Sequence, residues 1–410
     1  MMTNVLLVTI CAFMSVKVGW ADPEMSNETD IRLLTSAVSA FSRDVYRTLH
    51  IRALNFVFSP FTAHSALSMT YMGAMHDTMR HLRDGLWLRD LPSPHMAYHD
   101  LIHDVTEVED MQFLVANGMW VNPKFELHQK YKEDLATLYN AASGTIDLNA
   151  TLGTEAAINE WVANQTMNKI TSFLPPPKID SSTLLLLINA LYVNGTWMSK
   201  FNPSETSKDT FQLATGGLVE TDFMTQTSYF EVKRSVVMDV DVIRIPFQNK
   251  RFAFYVALPK SRSGLSDFED VFSNPNFDVN ILFKEMKPEK IHLKLPKFKL
   301  VANINLNITL RFLIMSIVFD EIANFAGISD QQVRVSDVVQ KAVIEINELG
   351  VTAASATAVK FVPTSTWEED EPTDFIAGHP FMFFLRDDNN ELILFHGRFS
   401  DPNITEIIIE

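Results

Sequence analysis

Apolar residues recur at three- and four-residue spacing over 30–49, 60–76, 78–87, 127–141 and 154–174, which predicts helices there. Ser59-Pro60 gives the second of these a start: a side chain able to accept from free N–H groups, then a proline whose φ is already helical. Strand-like runs interrupt at 112–121, 183–194 and 242–247. From 252 onward they prevail, over 252–258, 290–301, 341–347, 380–386 and 391–398. Helices first and strands later, with no regular alternation of the two, predict an α+β fold with helices packed on large, mostly antiparallel sheets. No internal repeat or low-complexity linker marks a domain boundary.

One stretch departs from the pattern. Residues 342–347 read as a strand, with Val343, Ile344 and Ile346 β-branched, and Glu348-Leu349-Gly350 as a turn. Then come eight small or β-branched uncharged residues: Val351, Thr352, Ala353, Ala354, Ser355, Ala356, Thr357 and Ala358. The run is too polar for a buried core strand and too free of charge for an ordinary solvated loop. An Ala/Ser/Thr linker is one reading. The other is a segment that lives in water in one state and enters a sheet in another. In a strand, Val351, Ala353, Ser355 and Thr357 would share one face and Thr352, Ala354, Ala356 and Ala358 the other. Neither set would bury an unpaired charge.

Length and composition set the context. The chain has 410 residues, 47% of them hydrophobic, enough for one large core. A net charge of −16 argues against nucleic acid and anionic membrane as partners. Residues 1–21 read as an export signal: an apolar run from Val5 to Val16, then Gly19-Trp20-Ala21 at a cleavage site. A single domain over 22–410, secreted and extracellular, is the expectation. Cys11, the only cysteine, lies inside the signal, so the mature chain would hold itself together without disulfides. Glycosylation sequons stand at Asn27, Asn149, Asn164, Asn194, Asn307 and Asn403, in keeping with a secretory route. Asn194 lies in a strand-like run.

No catalytic motif is present: no G-x-S-x-G, no H-E-x-x-H, no Gly-rich phosphate loop. The chain does not read as an enzyme. His64, His76, His81, His95, His99 and His103 cluster loosely, and the last three are four residues apart. Their flanks read as loop, so they are taken as surface or capping groups and no metal site or cofactor is expected. The acidic run Glu368–Glu371 reads as a solvated loop before it reads as a Ca²⁺ site.

Several stretches together resemble the serpin family over roughly 30–402. They are NFVFSPFTAHSALSMTYMGA (55–74), VANGMWVN (115–122), INEWVANQTMNKI (158–170), LLLINALYVNGTWMSKF (184–201), IHLKLPKFKL (291–300), FDEIANFAGIS (319–329), HPFMFFLRD (379–387) and LFHGRFSDP (394–402). Any one is weak; all of them in family order, with 342–359 in its expected place, are specific. The resemblance implies an exposed reactive loop over about 350–374. When a serine protease cuts this loop, it inserts into the central sheet and carries the protease along as a trapped covalent acyl-enzyme. That is strand addition coupled to release of stored strain.

The resemblance also assigns residues. Ser59, Thr62, Asn189 and Gln340 fall at the family's shutter and Trp197 at its breach, with Gln340 where many members have histidine. Glu348, Gly350, Val351 and Thr352 through Thr357 form the hinge. Leu349 and Val351 depart from the usual residues there, but neither adds a charge. Counting fourteen residues on from Gly350 puts the bait bond at Thr364–Ser365, after Pro363, and a small β-branched residue points to an elastase-like protease. Phe361 or Trp367 would suit a chymotrypsin-like enzyme and Lys360 a trypsin-like one. The expectation is a monomeric protease inhibitor. The alternative is a non-inhibitory member of the family, a carrier, chaperone or storage protein. Arg80, Arg83 and Arg89 are interleaved with Asp84 and Asp90, so no glycosaminoglycan cofactor is expected.

Overall fold

A computed structural model describes residues 26, 28–150, 153–175, 179–351 and 371–410. Its helices are α1 (Glu28–Leu49), α2 (Pro60–Gly73), α3 (His76–Gly85), α4 (Pro94–Thr106), α5 (Gln129–Tyr139), α6 (Ala156–Gln165), α7 (Leu265–Phe272) and α8 (Asn307–Phe312). Its strands begin with β1 (Phe56–Phe58), β2 (Met111–Val121), β3 (Ala142–Thr145), β4 (Leu185–Thr196), β5 (Ser207–Gln212), β6 (Leu218–Ser235), β7 (Val240–Pro246) and β8 (Phe252–Pro259). They continue with β9 (Lys287–Pro296), β10 (Phe298–Asn305), β11 (Val335–Asn347), β12 (Gly350–Val351), β13 (Thr373–Ile376), β14 (Phe381–Asp387), β15 (Leu392–Phe399) and β16 (Glu406–Ile409). The fold is α+β, as the order of patterns predicts, and most strand pairs are antiparallel.

Two sheets carry the molecule. One has nine strands, with β1, β15, β14, β8, β7, β6, β9 and β13 in line and β5 beside β6. The other has seven, in the order β16-β10-β11-β12-β4-β2-β3, and β11 also pairs directly with β4. β4 is buried along almost its whole length because both its faces are covered. Leu187, Leu191 and Val193 join the main core. Leu186, Ile188, Ala190 and Tyr192 pack on the other side against Ile158 and Val162 of α6 and against Ile170, Phe173 and Leu174. That second cluster also takes in Val339 and Val343 of β11, while α6 itself packs over β2, with Trp161 against Trp120.

Three expectations are corrected. The helix predicted over 154–174 stops at Gln165, because Met167 and Asn168 both adopt left-handed backbone (φ +47° and +61°). The chain then folds back, and Ile170, Phe173 and Leu174 reach the same apolar cluster from irregular structure. The strand predicted over 290–301 is two strands in different sheets: Pro296 lacks an N–H to continue the ladder, and the chain crosses over at Lys297. Residues around the three evenly spaced histidines form a helix, α4, not a loop. Pro94 opens it, and Ala97, Tyr98, Leu101, Ile102 and Val105 make its buried stripe.

Candidate functional site

The site is the junction between β11 and β4. From Val335–Leu185 to Val343–Tyr192 these two strands pair directly and in parallel. Above Val343 they part, and β12 enters between them. Val351 faces Ile346 on one side and Gly195 on the other, and Gly350 faces Asn347 and Thr196. The start of the expected hinge is therefore seated as a strand at the mouth of a seam that is closed below it.

Local chemistry explains the seating. Asn347 Oδ1 accepts from Leu349 N (3.0 Å) and Gly350 N (3.2 Å), which closes the turn after β11. Gly350 has φ +154°, and a Cβ there would stand 1.9 Å from the carbonyl oxygen of Gly195. Only glycine allows the two backbones to approach this closely. Val351 is fully buried and joins the main core with Ile344 and Ile346.

Trp197, the residue expected at the breach, packs beside this turn. Trp197 is buried, stacks on Phe247 with ring centroids 4.8 Å apart, and donates from Nε1 to Asn347 O (2.9 Å). Trp197 N donates to Leu349 O (3.0 Å) and Phe201 N to Glu348 O (3.0 Å). The Glu348 carboxylate accepts from Thr206 Oγ1 (2.9 Å) and is paired with Lys297 Nζ (3.0 Å). Burial alone would raise its pKa. Hydrogen bonds from its own backbone N–H, Lys297 and Thr206 outweigh that and hold the carboxyl below its ordinary value. The sequence alone does not single out Thr206, Lys297 and Asn347. Their roles depend on what stands across from them, which no local pattern records.

Lower down, the shutter residues converge. Gln340 and Asn189 face each other across the β11–β4 pair. Gln340 Nε2 donates to Asn189 Oδ1 (2.7 Å), Ser59 O (2.9 Å) and Thr62 Oγ1 (3.3 Å), and its Oε1 accepts from Ser59 N (2.8 Å). Thr62 Oγ1 donates to Asn189 Oδ1 (2.7 Å). Asn189 Nδ2 donates to Asn117 Oδ1 (2.5 Å), and Asn117 Nδ2 reaches Ser65 Oγ (3.4 Å). All are buried, and each satisfies another. Ser59 also caps α2, accepting from Thr62 N (3.4 Å). The network thus ties the start of α2 to both lips of the seam. Asn117, the link to β2, was missed, although it lies in one of the motifs.

The remaining candidates scatter. Hinge residues Thr352 to Thr357 and the bond Thr364–Ser365 lie outside the described residues, as do Asn27, Cys11 and the leading segment. Asn149, Asn164 and Asn403 are exposed, and Asn194 is half-buried on β4. Asn307 is engaged: Nδ2 donates to Ser336 O (2.8 Å) and Asp337 Oδ1 (3.1 Å), and Oδ1 accepts from Val338 N (3.1 Å). The three histidines of α4 turn to separate partners: His95 to Tyr139, His99 to Asp100 and His103 to Glu107. Among the described residues no three His, Cys, Asp or Glu side chains are grouped to hold a metal, and no helix is long and apolar enough to cross a membrane.

Comparison with known proteins points one way. The family model described as Serpin (serine protease inhibitor) matches residues 36–402. Serine protease inhibitor 42Dd of Drosophila melanogaster is 32% identical, over 90% of this chain and 98% of its own length. Iripin-2 of Ixodes ricinus is 30% identical, over 97% of this chain and 99% of its own. The crystal structure of Serpin48, described as a highly specific serpin of the insect Tenebrio molitor, superposes with a TM-score of 0.81. Its identity is 26%, and it covers 92% of this chain and 99% of its own.

Proposed function

The chain belongs to the serpin family, and from that premise we propose that it is a secreted, monomeric inhibitor that traps serine proteases as a suicide substrate. The observation that carries this reading is the position of Gly350–Val351, lodged between β11 and β4 above a seam that is still closed. A strand that has begun to enter needs only a free end to continue.

In the proposed mechanism the protease serine attacks the carbonyl carbon of Thr364. The peptide bond breaks, the new amine leaves on Ser365, and an ester joins the inhibitor to the enzyme. Residues 352 onward then zip downward between β11 and β4 before water can reach the ester. Extending the register of β12 gives each a partner in the proposed inserted state. With Val351 between Ile346 and Gly195, antiparallel continuation brings Ala353 to Ile344 and Val193, Ser355 to Ala342 and Leu191, and Thr357 to Gln340 and Asn189. These positions line the core face, where the hinge offers small or hydroxyl side chains and no charge. Thr364 suits a protease with a shallow pocket, of the elastase class.

Incubation with a panel of serine proteases, followed by a denaturing gel, tests the reading. A complex of the summed mass that survives denaturation is the expected result, with mass spectrometry of the released peptide fixing the bond. Complete cleavage of the loop by every protease without such a complex would refute inhibition. Secretion is tested in the same preparation, by the amino-terminal residue and glycan mass of the protein recovered from the medium.

A further inference from the structure

The family match ends at residue 402, but the ordered chain does not. Residues 406–409 form β16, which lies parallel to β10 with Val301 opposite Glu406, Ala302 opposite Ile407, Asn303 opposite Ile408 and Ile304 opposite Ile409. Val301 N donates to Thr405 O (2.8 Å). Ile407 and Ile409 are buried in the main core, while Ile408 between them is 74% exposed. This is the alternation of a strand with one covered face. Ile404 packs against the same core. The path onto the edge is set by Asn55, fully buried, whose Nδ2 donates to Asp401 O (2.7 Å) and Ile404 O (2.8 Å) and whose Oδ1 accepts from Ser400 N (2.7 Å). Arg52 donates to the backbone oxygen of Glu410 at the far end.

Without this segment β10 would be the last strand of its sheet, with unpaired backbone groups beside the apolar side chains of Ala302 and Ile304. Such an edge is a template for another strand. We propose that the outer edge of β10 is a binding site for an extended peptide carrying β-branched residues at alternate positions, and that segment 404–410 fills it in cis. The site lies at the sheet edge beyond β10, on the far side of β11 from the seam, and does not rest on the inhibitory reading. Its trans occupant is the same segment of a second copy, since four paired residues on a short connector make the same contacts from either chain.

A chain ending at Asn403, titrated with a fluorescent synthetic peptide of residues 404–410, tests this. Saturable binding is expected. A peptide with aspartate in place of Ile407 and Ile409 should bind about a hundredfold more weakly, because two buried side chains are lost. The full chain should bind the native peptide at least about tenfold more weakly than the shortened one, since its own segment competes at high effective concentration. If the shortened chain melts cooperatively yet binds neither peptide, or both equally, the site does not exist. If shortening prevents folding, the full chain with Ile407→Asp and Ile409→Asp replaces it in the same titration, and the same outcomes decide.

Discussion

Gln340→Met isolates the polar content of the seam, because methionine nearly matches glutamine in length and volume. The change removes four hydrogen bonds of 2.7–3.3 Å. They are not equivalent. Ser59 O still accepts from Ala63 N (3.2 Å), and Asn189 Oδ1 still accepts from Thr62 Oγ1 (2.7 Å). The buried Ser59 N–H, however, loses its 2.8 Å acceptor. An orphaned buried donor costs about 1–3 kcal/mol, and the loss of the two amide N–H groups, which share the three acceptors, roughly 1 kcal/mol net for each. Apolar burial of the thioether offsets about 1 kcal/mol. The sum is a loss of about 2–4 kcal/mol. For a chain of this length the unfolding entropy is about 0.8 kcal/mol/K, so the melting midpoint should fall by about 3–5 °C. The loss falls at the junction of β11 and β4, so the seam should also open more readily. On the proposed mechanism, the variant should lose its capacity to form complexes faster than the parent when held at moderate temperature. Differential scanning calorimetry and timed complex formation read the two effects. A midpoint within about 1 °C of the parent, with complex-forming capacity lost no faster, would refute the claim that Gln340 holds the seam.

Gly350→Ala should unseat β12, since the added Cβ meets Gly195 O at 1.9 Å; the expected result in the gel assay is a shift from complex toward cleaved inhibitor, and an unchanged ratio would contradict the role given to β12. Ile314 is β-branched, 55% exposed and held at φ +65°, so Ile314→Gly should raise stability by about 1 kcal/mol in urea unfolding, the strain relief exceeding the extra chain entropy; a loss would show the strain is not real. Burial pushes the imidazoles of His64 and His95 down to about 4 and that of His396 to about 3, from an ordinary 6.5. The unfolded chain therefore takes up protons that the folded chain refuses: stability is full above about pH 6.5 and is lost as pH falls toward 4, by up to about 1.4 kcal/mol per pH unit for each histidine. His396→Phe, in a site already stacked against Tyr46 and Phe384, should lessen that slope in urea titrations between pH 6.5 and 4.5, and an unchanged slope would assign the acid sensitivity elsewhere.

What the sequence discloses follows from which interactions are local. α1 repeats its apolar residues at the helical period, Ser59-Pro60 marks the start of α2, and β2 and β8 are short, largely apolar runs, so their places are legible to within a few residues. β6, with eighteen residues, is not. Its exposed and buried positions mix because its partners change from β5 to β9 to β7 along its length. The end of α6 and the crossing at Pro296 are decided by tertiary packing, which overrides a continuous apolar pattern. At the seam, Ser59, Thr62, Asn189 and Gln340 are recoverable through resemblance alone. They come from three places in the chain, and nothing near any of them says that a buried amide awaits it. The β16 edge was invisible for another reason: Glu-Ile-Ile-Ile is too short a run to separate a strand from a frayed tail.

The polar character of the seam is itself informative. An apolar contact between β11 and β4 would be simpler to build and would leave no group at risk. Amides at Asn189 and Gln340 carry a penalty as soon as a strand separates them, because the 2.7 Å bond between them is lost inside the core. On the proposed mechanism, extending the β12 register would bring Thr357 to that level, between the two. Its hydroxyl has one donor and two acceptor sites, so it can give to Asn189 Oδ1 and accept from Gln340 Nε2 where alanine or valine could do neither. The same two amides that hold the closed sheet can thus be re-satisfied in the open one. On that mechanism they would raise the barrier between the states without lowering the stability of the second. A seam that merely stuck would either not open or not stay shut. One that exchanges a bond between two amides for bonds to an arriving hydroxyl can do both, with the severed loop deciding which.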